Sequence, residues 1–388
     1  MQETGFNNAA LKQQNRGLVL RLAATGECSS RIEIARRTGL SKMAASNIIA
    51  GLIEEYILEE SECIQVSGKG RNPIQLKLSD KAPKLIGVYI AQNECRVILC
   101  DMHLKVLAKA GFHVTAENSG SFIKLVCRCI DRILKKAPDQ MIWGIGIASS
   151  GSIDHADGSL IHLPGFPDSE KIPIVHILDE KYRMPVFLGS QYYTAALAEK
   201  YYGNTRDSAD FIYLGISDRI GAGLFYGNQP RLDLSGRSSS FGHISIERNG
   251  RKCSCGRRGC VAAYASVPVI CSEYFEKTGK DLSFRDICRA SEKDDKAAAL
   301  LLNEMAESLT CALTNISNLV LPEKIILGDE GCFLPEVFIQ QIETNLNRYS
   351  CGDSHIRIQK SAFGHTSGLK GCAAGLLMRL FEGELFLQ

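Results

Sequence analysis

One stretch of the 388-residue chain gathers side chains that could do chemistry: GHISIERNGRKCSCGRRGCVAAYAS, from Gly242 to Ser266. It carries one imidazole, His243, and three thiols, Cys253, Cys255 and Cys260, among glycines and arginines. Such groups serve as metal ligands or nucleophiles, so their clustering asks what they hold. The chain has 15 Cys, and only this group of three is tightly spaced. The others read as small buried hydrophobes in a reducing compartment rather than as disulfides. His103, His113, His155, His162, His176, His355 and His365 show no metal spacing, and the single Trp, Trp143, reads as core.

The rest of the chain must position this cluster. At 388 residues and 45% hydrophobic content, two or three domains with large cores are expected. Net charge is +2, so nucleic-acid binding would need a local basic patch rather than a global field. No apolar run reaches the roughly 20 residues of a membrane-spanning helix. The opening MQETGFNNAALKQQNRG lacks a signal-peptide core. The expected location is cytoplasmic, with no membrane partner.

Residues 1–80 read as a separate DNA-binding unit. Ser29 or Ser30 caps a helix with Ile32, Ile34 and Ala35; Gly39 breaks it, and Ser41 caps the next, from about Lys42 to Glu55. Ile48, Ile49, Leu52 and Ile53 recur at helical spacing there. Helix, glycine turn, helix is the helix-turn-helix pattern. Residues 1–53 hold seven Lys/Arg (Lys12, Arg16, Arg21, Arg31, Arg36, Arg37, Lys42) against Glu3, Glu27 and Glu33. ILEESECIQVSGKGRNPIQLKL then reads as two strands around a basic tip, a wing. Arg31, Arg36, Arg37 and Lys69 are expected on phosphates, and Arg71 in a minor groove. Lys42, Ala44, Ala45, Ser46 and Asn47 are expected to face bases in a major groove.

Residues 81–388 alternate strands and helices, as in an α/β protein with two sheet-based lobes and a cleft. With the pattern Gly242-His243, then Cys253-x-Cys255-Gly256-x-x-Gly259-Cys260, ending near Tyr264 and Ser266, the chain resembles the ROK family of repressors and sugar kinases. It resembles the repressor branch over nearly its whole length. The resemblance implies an N-terminal winged helix-turn-helix followed by a two-lobed, actin-like sugar-kinase (ribonuclease H-like) fold that binds an effector and oligomerises.

That resemblance answers the opening question. Zinc takes four tetrahedral S/N ligands at about 2.0–2.3 Å. His243, Cys253, Cys255 and Cys260 supply them within residues 243–260, so one structural Zn²⁺ per chain is expected. Gly256 and Gly259 let the loop wrap the ion.

The kinase features are replaced. The family's Asp-x-Gly-Gly-Thr-like turn corresponds to Tyr89-Ile90-Ala91-Gln92-Asn93. A Gly-Thr-Gly turn corresponds to Ser217-Asp218-Arg219, and a late Gly-Gly to Gly328-Asp329. Gln191 stands where the family's catalytic Asp would be, and an amide is no base near pH 7. No catalytic residue is therefore expected. Of the sugar-holding places, Ser190, Gln191, Ser240 and Ala262 are altered and His243 is retained. Tyr192 and Tyr193 either stack on a sugar or fill the emptied cleft. The expected protein is a regulator, most simply a repressor of carbohydrate uptake or metabolism genes. It would bind an inverted repeat of duplex DNA as a homodimer or tetramer, with a carbohydrate effector. Control by a protein partner, or residual kinase activity, are the alternatives.

Overall fold

Two serines and a glycine set the first helices. In the computed structural model, which describes residues 8–63, 74–91, 94–114, 118–162, 171–231, 240–351 and 355–384, helix α1 (Asn8–Ala24) precedes α2 (Arg31–Thr38) and α3 (Lys42–Glu54). The Ser30 hydroxyl accepts the Glu33 amide and the Ser41 hydroxyl accepts the Ala44 amide, each satisfying an orphan donor at a helix start. Gly39 ends α2 at φ +73°, a left-handed conformation that glycine adopts freely. Strands β1 (Leu58–Cys63) and β2 (Ile74–Leu78) pair antiparallel, as a wing requires. The tip, with Lys69 and Arg71, lies outside the described residues. The expected boundary at residue 80 falls between β2 and the next strand.

That strand opens the first lobe. It contains β3 (Lys84–Ile90), β4 (Glu94–Cys100), β5 (Val106–His113), α4 (Ser119–Lys135), β6 (Ile142–Ser149), β7 (Ser152–Asp154), β8 (Ser159–His162), α5 (Ile174–Tyr182), β9 (Val186–Ser190) and α6 (Gln191–Tyr202). Sheet order is β5-β4-β3-β6-β9, antiparallel as far as β3 and parallel from β3 onward. The second lobe contains β10 (Phe211–Ile216), β11 (Ile220–Tyr226), β12 (Gln229–Arg231), α7 (Ala262–Ala265), α8 (Val267–Thr278), α9 (Phe284–Ser291), α10 (Lys296–Val320), β13 (Lys324–Asp329), α11 (Glu336–Tyr349) and β14 (Arg357–Lys360). Its sheet, β12-β11-β10-β13-β14, repeats the order and the mix of directions of the first. This is the expected two-lobed, actin-like architecture behind a winged helix-turn-helix.

The last helix, α12 (Ser367–Phe381), crosses back to pack on β3, β6 and α6. Helix α6 also packs on β10 and β11, so it lies between the lobes. Its residues Gln191–Glu199 are all buried. One apolar cluster runs from Leu20, Ile34 and Ile49 of the N-terminal helices through Leu85, Met102 and Trp143 to Leu376 and Phe381. Separate clusters fill the outer faces of the second and first lobes. Trp143 is core, as expected, at 3% exposure.

Candidate functional site

Helix α3 presents its first turn to solvent. Lys42, Met43 and Asn47 are exposed; Ala44 and Ser46 are half-buried. Ala45 is a correction to the sequence reading: it is fully buried with Ile49 and Leu52, and cannot face a base. The cause is helical geometry, since positions i, i+4 and i+7 share a face. Met43, 74% exposed, was missed although it lies one turn before Asn47 on that same outer face. On α2, Arg36 and Arg37 are exposed. Arg31 is engaged instead: its Nε bonds the Glu60 carboxylate at 2.8 Å and its Nη1 bonds the Ser46 carbonyl at 3.1 Å. It ties α2 to α3 and β1 rather than standing free for a phosphate.

The four sulfur and nitrogen donors converge. His243 Nδ1 lies 3.6 Å from Cys253 Sγ, Cys255 Sγ lies 3.7 Å from Cys260 Sγ, and all four donor atoms fall within 4.8 Å of one another. A tetrahedron with legs of ~2.3 Å has edges of ~3.8 Å, so the set fits a tetrahedral metal ion. Gly256 (φ +85°) and Gly259 (φ +74°) make the turns, and a Cβ on Gly259 would lie 1.6 Å from the Glu247 carbonyl oxygen. The Cys253 amide bonds the Arg257 carbonyl at 2.8 Å, closing the loop. The Arg257 backbone and guanidinium lower the Cys255 thiol to about 7, while burial first, then the neighbouring thiols, raise Cys260 to about 11. Tyr264 anchors the loop: its hydroxyl donates to Glu247 at 2.6 Å and accepts the Arg251 amide at 2.7 Å.

The loop that carries these four donors forms one wall of a cavity of about 540 Å³ between the lobes. Ser190, Ser240, His243 and Ala262 line it, with Tyr192, Arg219 and Lys252. Gln191 does not, which corrects its expected place. Its side chain turns into a neighbouring cavity of about 320 Å³, where its Oε1 accepts the Tyr89 hydroxyl at 3.0 Å. Tyr193 fills the interior, its hydroxyl donating to Met378 Sδ at 3.1 Å. Tyr192 packs its ring against Gly215 and Gly221, where a Cβ would come within 2.5 and 2.0 Å of ring carbons, and it also lines the larger cavity.

A family model, ROK family, matches residues 85–378. This chain belongs to the ROK family. The xylose repressor of Caldicellulosiruptor bescii is 26% identical over 387 residues, covering 95% of this chain and 96% of that protein. Among solved structures, a ROK family transcriptional regulator described as a homolog of the E. coli MLC protein matches with a TM-score of 0.84. It shares 21% identity, over 97% of this chain and 98% of that one. The ROK hexokinase of Thermus thermophilus matches with a TM-score of 0.65 and 23% identity, over 76% of this chain and 98% of that one. These structural likenesses carry the fold.

Set beside the ROK pattern, two further residues stand out that sequence reading did not single out as functional. Tyr89 places a phenol and its bond to Gln191 in the smaller cavity. Asp329 ends β13 at φ +52°, a backbone that favours the glycine of the family pattern. It is 7% exposed; its Oδ1 accepts the Tyr213 hydroxyl at 3.4 Å, its amide donates to Ser367 Oγ at 3.3 Å, and its Oδ2 has no hydrogen-bond partner. Burial pushes its carboxyl up to about 7. The signal available in the sequence was a non-glycine residue at a glycine position.

Proposed function

We propose that this chain is a sequence-specific transcriptional regulator, a repressor of carbohydrate uptake or metabolism genes, that has no kinase activity and answers to a carbohydrate effector. The observation that carries the reading is the exposed first turn of α3, with Lys42, Met43 and Asn47, on a winged helix-turn-helix whose core is continuous with the lobes. Lys42, Ala44, Ser46 and Asn47 read bases; Arg36, Arg37 and the wing's Lys69 hold phosphates; Arg71 enters the minor groove. A homodimer reads two half-sites of an inverted repeat. The names of the relatives, repressors among them, support the same class.

His243, Cys253, Cys255 and Cys260 hold one structural zinc ion. When bound, the ion supplies a fixed tetrahedral cross-link. The loop then walls the cleft and leads into α7. Ser190, Ser240 and His243 contact the effector in the larger cavity. Loss of kinase chemistry follows from Gln191, whose amide is committed to Tyr89, and from Asp329 at a phosphate turn.

The effector acts through two helices. Ser190 caps α6, α6 packs along α12, and the end of α12 packs on α1. An effector that shifts the DNA-competent fraction from about 99:1 to 1:99 must prefer the other arrangement by about 5.5 kcal/mol. The test is binding-site selection from a random duplex library at fixed physiological salt. An inverted repeat should emerge, and Asn47→Ala should relax its preference by about 1–3 kcal/mol without lowering Tm. The same duplex then screens sugars. No enrichment would overturn the reading. Enrichment without any sugar response would instead assign control to a protein partner.

A further inference from the structure

The smaller cavity carries the wrong charge for a nucleotide. By the ROK pattern it lies where Ser217-Asp218-Arg219 and Gly328-Asp329 replace two phosphate turns, and a phosphate site needs amides and cations. Instead Asp218, Asp329 and Glu330 line it, with Glu94 and Arg96, paired at 2.8 Å, at its edge. Among the described residues none of Asp218, Asp329 and Glu330 has an ion-pair partner, although Arg219 also lines the cavity. Asp218 acts on Glu330, and Glu330 on Asp329. Burial first, then Asp218, raises Glu330; burial first, among smaller effects of both signs Glu330, raises Asp329.

Asp329 is more than one member of an acidic group. It is 93% buried by complement of its 7% exposure, it lines the cavity, and its Oδ2 has no partner. An unpartnered buried carboxylate oxygen is costly unless a proton or a bound cation compensates it. A single metal ion does not fit the need. Among the described residues, the only set of three or more His, Cys, Asp and Glu side chains placed to share one ion is the His243 group. Separated carboxylates match separated charges. Tyr89 adds an aromatic ring, which suits an ammonium group and its methylene stem.

We propose that this cavity binds a linear aliphatic polyamine, whose ammonium groups pair with Asp218, Glu330 and Asp329. The site replaces the phosphate subsite of the fold with a cation subsite. It adjoins the carbohydrate cavity, sharing Ser150, Asp218 and Arg219 with that cavity's lining, but it does not rest on that reading.

Calorimetric titration of the full chain, without DNA and at about 0.15 M salt to screen loose surface binding, tests this. Spermidine is the probe; Mg²⁺, ATP and fully acetylated spermidine are the comparators. One spermidine per chain is expected, with no binding of the acetylated form and no competition from ATP. Asp218→Asn and Glu330→Gln should each weaken binding about tenfold, and the pair by more, since each lost charge-assisted bond costs on the order of 1.4 kcal/mol. Asp218 is exposed, so its variant keeps the fold even if Asp329→Asn does not. Absence of wild-type binding, binding unchanged in the double variant, or stoichiometric displacement by Mg²⁺ or ATP would each overturn the proposal.

Discussion

At the scale of residues, the His243 donor cluster and Asp329 make opposite uses of burial. Three thiols and an imidazole within 4.8 Å are poorly placed for one another without a cation, because deprotonated thiols repel. Cys260→Ser removes the one buried thiol of the set. Metal analysis of protein purified without chelator should fall from one zinc per chain to well below one, and Tm should drop by several degrees. Asp329 is instead a carboxyl held near neutrality. Its folded value of about 7 stands above an unfolded value of about 3.9, so the folded chain binds that proton more tightly. The stability it contributes is complete below pH 3.9 or so and is lost as pH rises through about 7. Glu330 pushes in the same direction, while Tyr213 and Ser367 oppose it by hydrogen bonding. Asp329→Asn removes this dependence. Relative to the parent it should gain roughly 1–3 kcal/mol between pH 5 and pH 8, read by urea unfolding at the two values. Equal pH slopes for both proteins would show that Asp329 does not titrate there.

At the scale of elements, α1 and α12 approach as closely as two backbones can. A Cβ on Gly17 would lie 2.4 Å from the Phe381 carbonyl oxygen, and one on Gly383 would lie 2.4 Å from the Gln13 carbonyl oxygen. Both contacts are with backbone, which cannot rotate away. Arg206, from the loop after α6, adds a bond to the Thr25 carbonyl at 2.5 Å. The seam is therefore a point at which the lobes hold the N-terminal helices. Gly17→Ala should cost about 1–3 kcal/mol by forcing the helices apart. It should also weaken the link between cleft and DNA. Anisotropy titrations on the selected duplex should show near-normal DNA affinity, with the effector's influence reduced several-fold. An unchanged effector response would place the coupling elsewhere.

At the scale of the whole molecule, legibility followed the range of the interactions. Ser30, Gly39 and Ser41 act on backbone within three or four residues, so they marked α2 and α3 correctly in the sequence. The His243 loop spans 18 residues, and its ligand spacing was also legible. Ala45 was misplaced because small residues were read by type before helical phase. The Tyr89–Gln191 bond joins residues 102 apart, and nothing local announces it. Nor did the sequence disclose that the N-terminal unit shares its core with the lobes. That core has a consequence. Val19, Leu20, Ile34 and Leu52 belong to the same buried cluster as Trp143, Leu377 and Leu380. Exposing either side alone would uncover apolar surface on the other, at about 25 cal/mol per Å². The N-terminal unit should therefore melt with Trp143, not before it. As the single tryptophan, Trp143 reports this directly by fluorescence. Its emission shift should coincide with the first loss of helical circular dichroism and with the loss of DNA binding. An earlier loss of DNA binding, with Trp143 emission unmoved, would show that the helix-turn-helix unfolds as an independent unit and that the shared core contributes little to its stability.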